Sequence, residues 1–139
     1  GGATPSPQSA PAPIAAPAVS NAIVQELQTS ADAWNAGDLE GFLRPYLDSP
    51  ATTFWSSAGL LHGKDAIRSL YRNGYWKNGR PSQQLRFDGL EVRSLGTDYA
   101  LATGRYHLFE AGRETASGPF SLVFTRTPDG WRIVHDHSS

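Results

Sequence analysis

The segment from Trp131 to Ser138 carries the side chains best suited to chemistry. It alternates apolar, cationic, acidic and imidazole residues, and alternation with a period of two assigns neighbouring side chains to opposite faces of a strand. One face carries Trp131, Ile133, His135 and His137. The other carries Arg132, Val134, Asp136 and Ser138. The second face therefore places a carboxylate beside an apolar neighbour, where it either pairs with a cation or has its pKa altered.

Asp136 is the first candidate for catalysis. If the even-numbered face of this strand points into a partly apolar cavity, loss of solvent raises the pKa of the carboxyl group and suits it to proton abstraction. The alternative is an ion pair of Asp136 with Arg105 or Arg132 that only shapes the cavity. Such a pair would keep the carboxylate ionised and make it a poorer base.

Further candidates lie elsewhere in the chain. Arg105, expected in the pocket, would orient an anionic or carbonyl ligand, and His107 on the same strand face is a candidate acid or base. Four aromatic side chains are expected to line the pocket, with plain core packing as the alternative. They are Tyr46, Trp55, Tyr71 and Trp76.

Metal, thiol and serine chemistry have little support. His135 and His137 have the i, i+2 spacing of a metal pair, but no third ligand lies near them in sequence. We therefore expect no metal and no cofactor. The chain contains no cysteine, which excludes disulfides, thiolate metal sites and a cysteine nucleophile from it. It also lacks the Gly-x-Ser-x-Gly elbow of a Ser-His-Asp hydrolase.

Composition restricts the partners. The 139 residues include 12 Lys and Arg against 13 Asp and Glu, so no strong field favours nucleic acid or an anionic membrane. No apolar run approaches the roughly 20 residues of a membrane helix. Residues 1–18 are rich in Pro and Ala and are expected to be a disordered arm. Such an arm is typical of the segment that follows a removed signal peptide. This favours a periplasmic or secreted protein, with a cytoplasmic protein as the alternative.

Helical periodicity predicts three helices in the domain that follows, residues 19–139. The first begins at Ser20 or Asn21 and ends at Gly37, and Asp38 caps a short second helix through Leu43. The third, of about ten residues, begins at Gly63.

The remaining segments read as strands. A small hairpin is expected over 51–56 and 59–62, and four longer strands follow the third helix. The longer strands are predicted at 83–94, 98–110, 115–126 and 131–138. Helices followed by strands that are joined by tight turns indicate an α+β fold, in which the sheet must curl around the helices to bury its apolar face.

Several motifs carry a family resemblance over about residues 19–139. They are Trp34-Asn35-Ala36-Gly37-Asp38 at the end of the first helix, Gly63-Lys64-Asp65-Ala66-Ile67, Ala102-Thr103-Gly104-Arg105-Tyr106 and the closing segment 130–138. With this layout the chain resembles the nuclear transport factor 2-like superfamily. Within it, the chain looks most like the SnoaL-like domains related to the association domain of calcium/calmodulin-dependent protein kinase II.

The resemblance implies a cone-shaped, curved antiparallel sheet wrapped around three N-terminal helices. It also implies a pocket inside the cone and a homodimer across the outer face of the sheet. Arg105 and Trp76 align with an arginine and a tryptophan in the pocket of that association domain, whereas Ser138 and Ile67 replace its last arginine and a histidine. The anion-binding set is therefore incomplete. The steroid isomerases and SnoaL-type cyclases of this superfamily use a pocket carboxylate as a base.

Three functions follow as hypotheses. The first is a homodimeric domain that binds a small, mostly apolar molecule in its pocket. The second is an enzyme that transfers a proton next to a carbonyl group, as an isomerase, cyclase or dehydratase, with Asp136 as the base. The third is a tethered interaction or assembly module. The scaffold alone does not choose among them, because one fold hosts many functions.

Overall fold

A computed structural model describes residues 14–139, in which three helices and a long curved sheet form the predicted α+β fold. The helices are α1 (Pro17–Asn35), α2 (Leu39–Leu43) and α3 (Lys64–Gly74). The strands are β1 (Thr53–Ser56), β2 (Gly59–His62), β3 (Trp76–Lys77), β4 (Arg80–Pro81), β5 (Gln84–Ser94), β6 (Tyr99–Glu110), β7 (Arg113–Thr127) and β8 (Gly130–Ser138). The long strands begin and end within two residues of their predicted bounds.

Helix α1 begins earlier than expected. Pro17 lies in its first turn, where the missing backbone N–H of proline costs no hydrogen bond. Just before it, the N–H of Ala15 donates to the carbonyl of Val92 at 3.0 Å, and Ala15 is buried. The predicted arm is therefore too long at its end, because residues 14–18 pair with the sheet or start the helix. Residues 1–13 of that arm lie outside the described residues.

The two shorter helices follow their predicted caps. The Asp38 side chain accepts a hydrogen bond from the N–H of Gly41 at 2.9 Å, which confirms it as the N-cap of α2. The hydroxyl of Ser30 donates to the carbonyl of Phe42 at 2.7 Å and ties α2 to α1. Helix α3 follows Gly63, whose φ of 88° favours glycine. Among residues 14–139, no helix combines the length and apolar character needed to cross a membrane.

The main sheet has six strands in the order β2-β1-β8-β7-β6-β5. The predicted meander of four long strands is confirmed, and the hairpin β1–β2 extends it beyond β8. Strand β1 pairs with β8 in parallel, whereas every other neighbour in this sheet is antiparallel. Strands β3 and β4 form a separate hairpin that was not predicted. Its turn is Asn78-Gly79, with positive φ at both residues, a sequence that favours two-residue hairpins.

Irregular pairing bends the long strands. The register shifts between Asp88 and Glu91 on β5, at Leu108 and Phe109 on β6, and between Val123 and Phe124 where β7 faces β8. Each bulge increases the local twist and curves the strand. The curved sheet encloses a core that includes the apolar face of α1, whose buried residues are Ile23, Leu27, Ser30, Ala31 and Trp34.

Asn35 fastens the end of α1 to the start of β5. Its side-chain amide donates to the carbonyl of Leu85 at 2.9 Å and its carbonyl accepts from the N–H of Leu85 at 2.7 Å. The side chain thus acts like a short strand partner for β5. The neighbouring Trp34 adds a hydrogen bond from its indole N–H to the carbonyl of Gln83 at 2.8 Å.

We expect Asn35→Ala to lower the free energy of unfolding by about 1–3 kcal/mol, because both partly buried backbone groups of Leu85 lose their partner. Urea-induced unfolding followed by tryptophan fluorescence measures this change. Asn73→Ala, at an exposed position of α3, is the matched control and should stay within about 0.5 kcal/mol of the wild type. Equal losses in the two variants would contradict the role given to Asn35.

Candidate functional site

A cavity of about 250 Å³ lies between the helices and the concave face of the sheet. Aromatic side chains dominate its wall, and nine of them contribute: Trp34, Phe42, Tyr46, Phe54, Tyr71, Tyr75, Phe87, Tyr106 and Phe120. Ser57, Tyr75 and Ser139 are exposed and mark the side where the cavity meets solvent. Among the described residues that line the cavity, none is Lys, Arg or His, and Asp136 is the only carboxylate side chain.

Asp136 is buried at this wall, with 3% of its surface exposed. Its Oδ2 accepts a hydrogen bond from the hydroxyl of Tyr46 at 2.5 Å, and its Oδ1 accepts one from the hydroxyl of Ser138 at 2.7 Å. No ion pair among residues 14–139 includes it. The carboxylate is therefore held by neutral donors.

A bulge in β8 directs Asp136 into the cavity. Phe124 of β7 faces Ile133, whereas the preceding residue Val123 faces His135, so Val134 is the extra residue on β8. The extra residue reverses the alternation, and Ile133 lines the cavity together with Asp136 although three positions separate them. The expectation that Ile133 shares a face with the two histidines is therefore wrong, because strict alternation does not continue through a bulge.

The chain before β1 brings Tyr46 to the carboxylate. The N–H of Ile133 donates to the carbonyl of Pro45 at 2.7 Å, and the N–H of Leu47 donates to the carbonyl of Ile133 at 2.9 Å. Beyond the bulge, β1 takes over this edge of β8. Both edges of β8 are thus paired along the site, which fixes the position of Asp136.

Tyr71 of α3 lines the cavity together with Tyr46. Its ring packs edge-on against Phe42 and Phe54, with ring centroids 4.7 and 5.9 Å apart. Burial, and then the nearby charge of Asp136, raises the pKa of both tyrosines well above its usual range. Both therefore stay protonated near neutral pH and act as hydrogen-bond donors.

Burial also raises the pKa of Asp136, from 3.8 to about 6. The hydrogen bonds from Tyr46 and Ser138 and the charge of His137 favour the ionised form and limit this rise. The carboxyl group thus changes its protonation state close to neutral pH, which is the condition under which one group both accepts and returns a proton.

Three of the sequence candidates meet at the cavity. Asp136, Tyr46 and Tyr71 all line it, and the hydroxyl of Tyr46 donates to Asp136. Their part in binding a ligand stays a prediction. A catalytic role for Asp136 stays a prediction.

Arg105 and His107 lie on the other face of β6, and their expected place in the pocket is wrong. Arg105 is exposed and donates to the hydroxyl of Ser117 at 3.2 Å, whereas Tyr106 and Leu108 beside it line the cavity. The neighbours alternate between faces because β6 is a strand. The predicted ion pair of Arg105 with Asp136 is therefore absent from the described residues.

His107 is held between two carboxylates outside the cavity. Its Nδ1 contacts Glu114, and its Nε2 lies 3.1 Å from Oδ1 of Asp88. The contact with Glu114, followed by that with Asp88, raises the pKa of His107. Both contacts favour the protonated imidazolium. His107 therefore forms a charged cluster with Asp88 and Glu114 on the outer face of the sheet.

The two tryptophans expected in the pocket lie outside its wall. Trp55 is 46% exposed and pairs across the sheet with Leu60 and His137, whereas Phe54 next to it lines the cavity. Trp76 packs against Trp34, with ring centroids 4.9 Å apart, and is not among the residues that line the cavity. Placing Trp55 in the pocket is wrong because strand alternation directs Phe54 inward.

The two histidines of β8 also lie outside the cavity lining. His135 contacts the hydroxyl of Thr53 through Nδ1 at 2.7 Å, and His137 is exposed. Within residues 14–139, no cluster of three or more His, Asp or Glu side chains has the arrangement of a metal site.

Sequence reasoning missed two polar contributors to the site. Ser138 donates to Asp136, and Tyr106 supplies its ring and donates its hydroxyl to the Ser139 carbonyl at 2.7 Å. The signal for Tyr106 was available, because Ala100, Ala102 and Leu108 form an apolar even-numbered face on β6. For Ser138 the i, i+2 spacing from Asp136 was the signal.

The raised pKa of Asp136 makes stability fall as pH rises. Between about pH 4 and pH 6 the folded protein keeps a proton that the unfolded chain has released, so deprotonation favours unfolding. The cost reaches about 3 kcal/mol at pH 7. We expect the unfolding free energy of the wild type, relative to that of Asp136→Asn, to fall by this order from pH 4 to pH 7 in urea titrations. Asp98→Asn, in an exposed turn, should follow the wild type, and parallel pH profiles for wild type and Asp136→Asn would contradict the assignment.

Structural relatives share this architecture. A nuclear transport factor 2-like protein of unknown function from Shewanella oneidensis MR-1 is 28% identical over 86% of this chain and 97% of its own, with a TM-score of 0.75. One of unknown function from Pseudomonas putida KT2440 is 22% identical over 89% and 87%, with a TM-score of 0.73. A superfamily protein from Salmonella enterica serovar Typhimurium LT2 is 22% identical over 88% and 90%, with a TM-score of 0.69.

Residues 23–139 match the family model of the SnoaL-like domain. A comparison with curated proteins found no match. The family model covers α1 from Ile23 onward, the other two helices, the sheet and the whole cavity wall, and the solved relatives have the same fold. The chain therefore belongs to the SnoaL-like domain family, within the nuclear transport factor 2-like superfamily.

Proposed function

We propose that the protein binds a small, mostly apolar molecule in the cavity of the cone. The observation that carries this proposal is an aromatic cavity with one cluster of polar groups in its wall. Small-molecule sites have this composition, because apolar walls supply affinity and a few polar groups fix orientation. If the cavity bound no ligand, close packing of the aromatic side chains against one another would be more favourable than an open space.

The volume sets the size of the ligand. An apolar cavity of roughly 150 Å³ holds one benzene molecule, and this cavity measures about 250 Å³. It therefore suits one or two fused rings, or an equivalent chain. A larger molecule would have to extend past Ser57 and Tyr75 into solvent.

The polar cluster sets the orientation of the ligand. Asp136 accepts one hydrogen bond at each oxygen, and a carboxylate has about four lone-pair positions. A polar group of the ligand that approaches Asp136 beside Tyr46 and Tyr71 can donate hydrogen bonds to the lone-pair positions that remain open. The homodimer across the outer sheet face, the assembly role and the periplasmic or secreted location stay predictions.

Indole tests this proposal, because its two fused rings match the volume. We expect titration calorimetry to detect indole binding to the wild type. Leu70→Trp fills the cavity wall and should weaken binding by about tenfold or more, by excluding the ring. Leu95→Trp, at an exposed position away from the wall, is the matched control and should bind as the wild type does. Equal binding by the two variants would place the indole site elsewhere and contradict the proposal.

One observation favours a second function, proton transfer next to a carbonyl group. Asp136 combines burial at the cavity wall with a pKa of about 6, which suits a general base near neutral pH. In this mechanism Asp136 accepts the proton from the carbon next to the carbonyl. A tyrosine hydroxyl of the cavity donates a hydrogen bond to the developing enolate oxygen.

The ketone 2-indanone tests this second function, because its acidic C–H groups lie beside the carbonyl of a two-ring molecule. Proton transfer would speed the exchange of these hydrogens with deuterated solvent, and one-dimensional NMR follows the exchange. We expect Asp136→Asn to return the exchange rate to that of buffer, while indole binding changes by less than about threefold. Asp98→Asn is the control. An exchange rate that Asp136→Asn leaves unchanged would exclude Asp136 as the base.

A further inference from the structure

We infer that the ligand of this cavity carries a positively charged amine, and that its ammonium group lies against Asp136 among the aromatic rings. The inference rests on the proposed binding function and adds the chemical class of the ligand. It follows from the charge balance of the cavity, from the rings around the carboxylate and from the hydrogen bonds that the carboxylate already makes.

The charge balance of the cavity favours a cation. Asp136 is 3% exposed, and no Lys, Arg or His is found among the described residues of the wall. A buried carboxylate is costly unless a cation pairs with it. The described residues of the wall supply no such cation, and His137, whose charge favours the ionised carboxylate, is exposed and lies outside the cavity lining. A cationic ligand would therefore offset the cost of burying the carboxylate from inside the cavity. A carboxylate or phosphate ligand would meet a like charge.

Aromatic rings flank the carboxylate on the side of the cavity. Phe54 on β1 lies directly across the strand pair from Asp136, Tyr46 contacts it, and Tyr71 packs edge-on against Phe54 with ring centroids 5.9 Å apart. All three line the cavity. Ring faces attract ammonium groups, and aromatic cages bind methylated amines in this way. The same rings that make the cavity apolar therefore also favour a cation over an anion.

The existing hydrogen bonds leave room for the ammonium group. Tyr46 and Ser138 each occupy one position on the carboxylate, and about two lone-pair positions remain. An ammonium group has donors and no acceptor, so it uses these positions without an unpaired acceptor of its own. A neutral hydroxyl also fits, but without the gain of a charge-assisted hydrogen bond.

Three probes of one shape and different charge test the inference: 2-phenylethylamine, 2-phenylethanol and phenylacetate. We expect calorimetry at pH 7.5 to show the amine binding about tenfold or more tightly than the alcohol, with phenylacetate the weakest. Asp136→Asn should weaken amine binding by about tenfold or more and change alcohol binding by less than about threefold. Asp98→Asn removes the same charge from an exposed turn and should leave the ranking unchanged.

The outcomes separate this inference from the function on which it rests. Binding of indole and the alcohol without a preference for the amine would overturn the inference and leave the proposed function standing. Tightest binding by phenylacetate would do the same. If neither indole nor any of the three probes binds, the proposed function fails and the inference with it. Should Asp136→Asn not fold, the ranking of the three probes on the wild type decides.

Discussion

The architecture of the site depends on one extra residue in β8. Because Val134 has no partner of its own on β7, the strand reverses its inward face between Ile133 and Asp136. The apolar side chain of Ile133 on the first half of β8 and the carboxylate of Asp136 on the second half then line the same cavity. Pairing on both edges, with the segment before β1 on one side of the bulge and β1 itself on the other, holds this arrangement in place.

The cost of the site follows from this placement. The carboxylate loses its solvent, and neutral hydroxyl groups only partly replace it. Burial without an opposite charge lowers the stability of the protein near neutral pH. Residues that carry such a cost are characteristic of functional sites, because packing alone would favour an apolar side chain. Tyr46 belongs to the same unit, since its hydroxyl proton is directed at the carboxylate.

The fold was largely predictable from sequence because its signals are local. Caps such as Asp38, the apolar spacing of α1 and glycine turns between long strands each act over a few residues. The errors have equally local reasons. Pro17 starts a helix because its missing N–H has no partner at that position, and Asn78-Gly79 forms a hairpin too short to show an apolar pattern. On β6 the inward face carries Tyr106 and Leu108, because the charged partners of His107 and the solvent around Arg105 lie on the outer face of the strand.

The sequence by itself determined the α+β class, the order of the elements and the family resemblance, and it singled out Asp136 as a candidate. Each of these rests on residue types and spacings that the chain carries along its length. Only the tertiary structure decided which side chains share the cavity with Asp136: Tyr46, Tyr71 and Ser138 join it, and Arg105, His107 and Trp55 do not. The physical reason is that the pairing register decides on which face of the sheet a side chain lies. One bulged residue moves every later side chain of the strand to the opposite face.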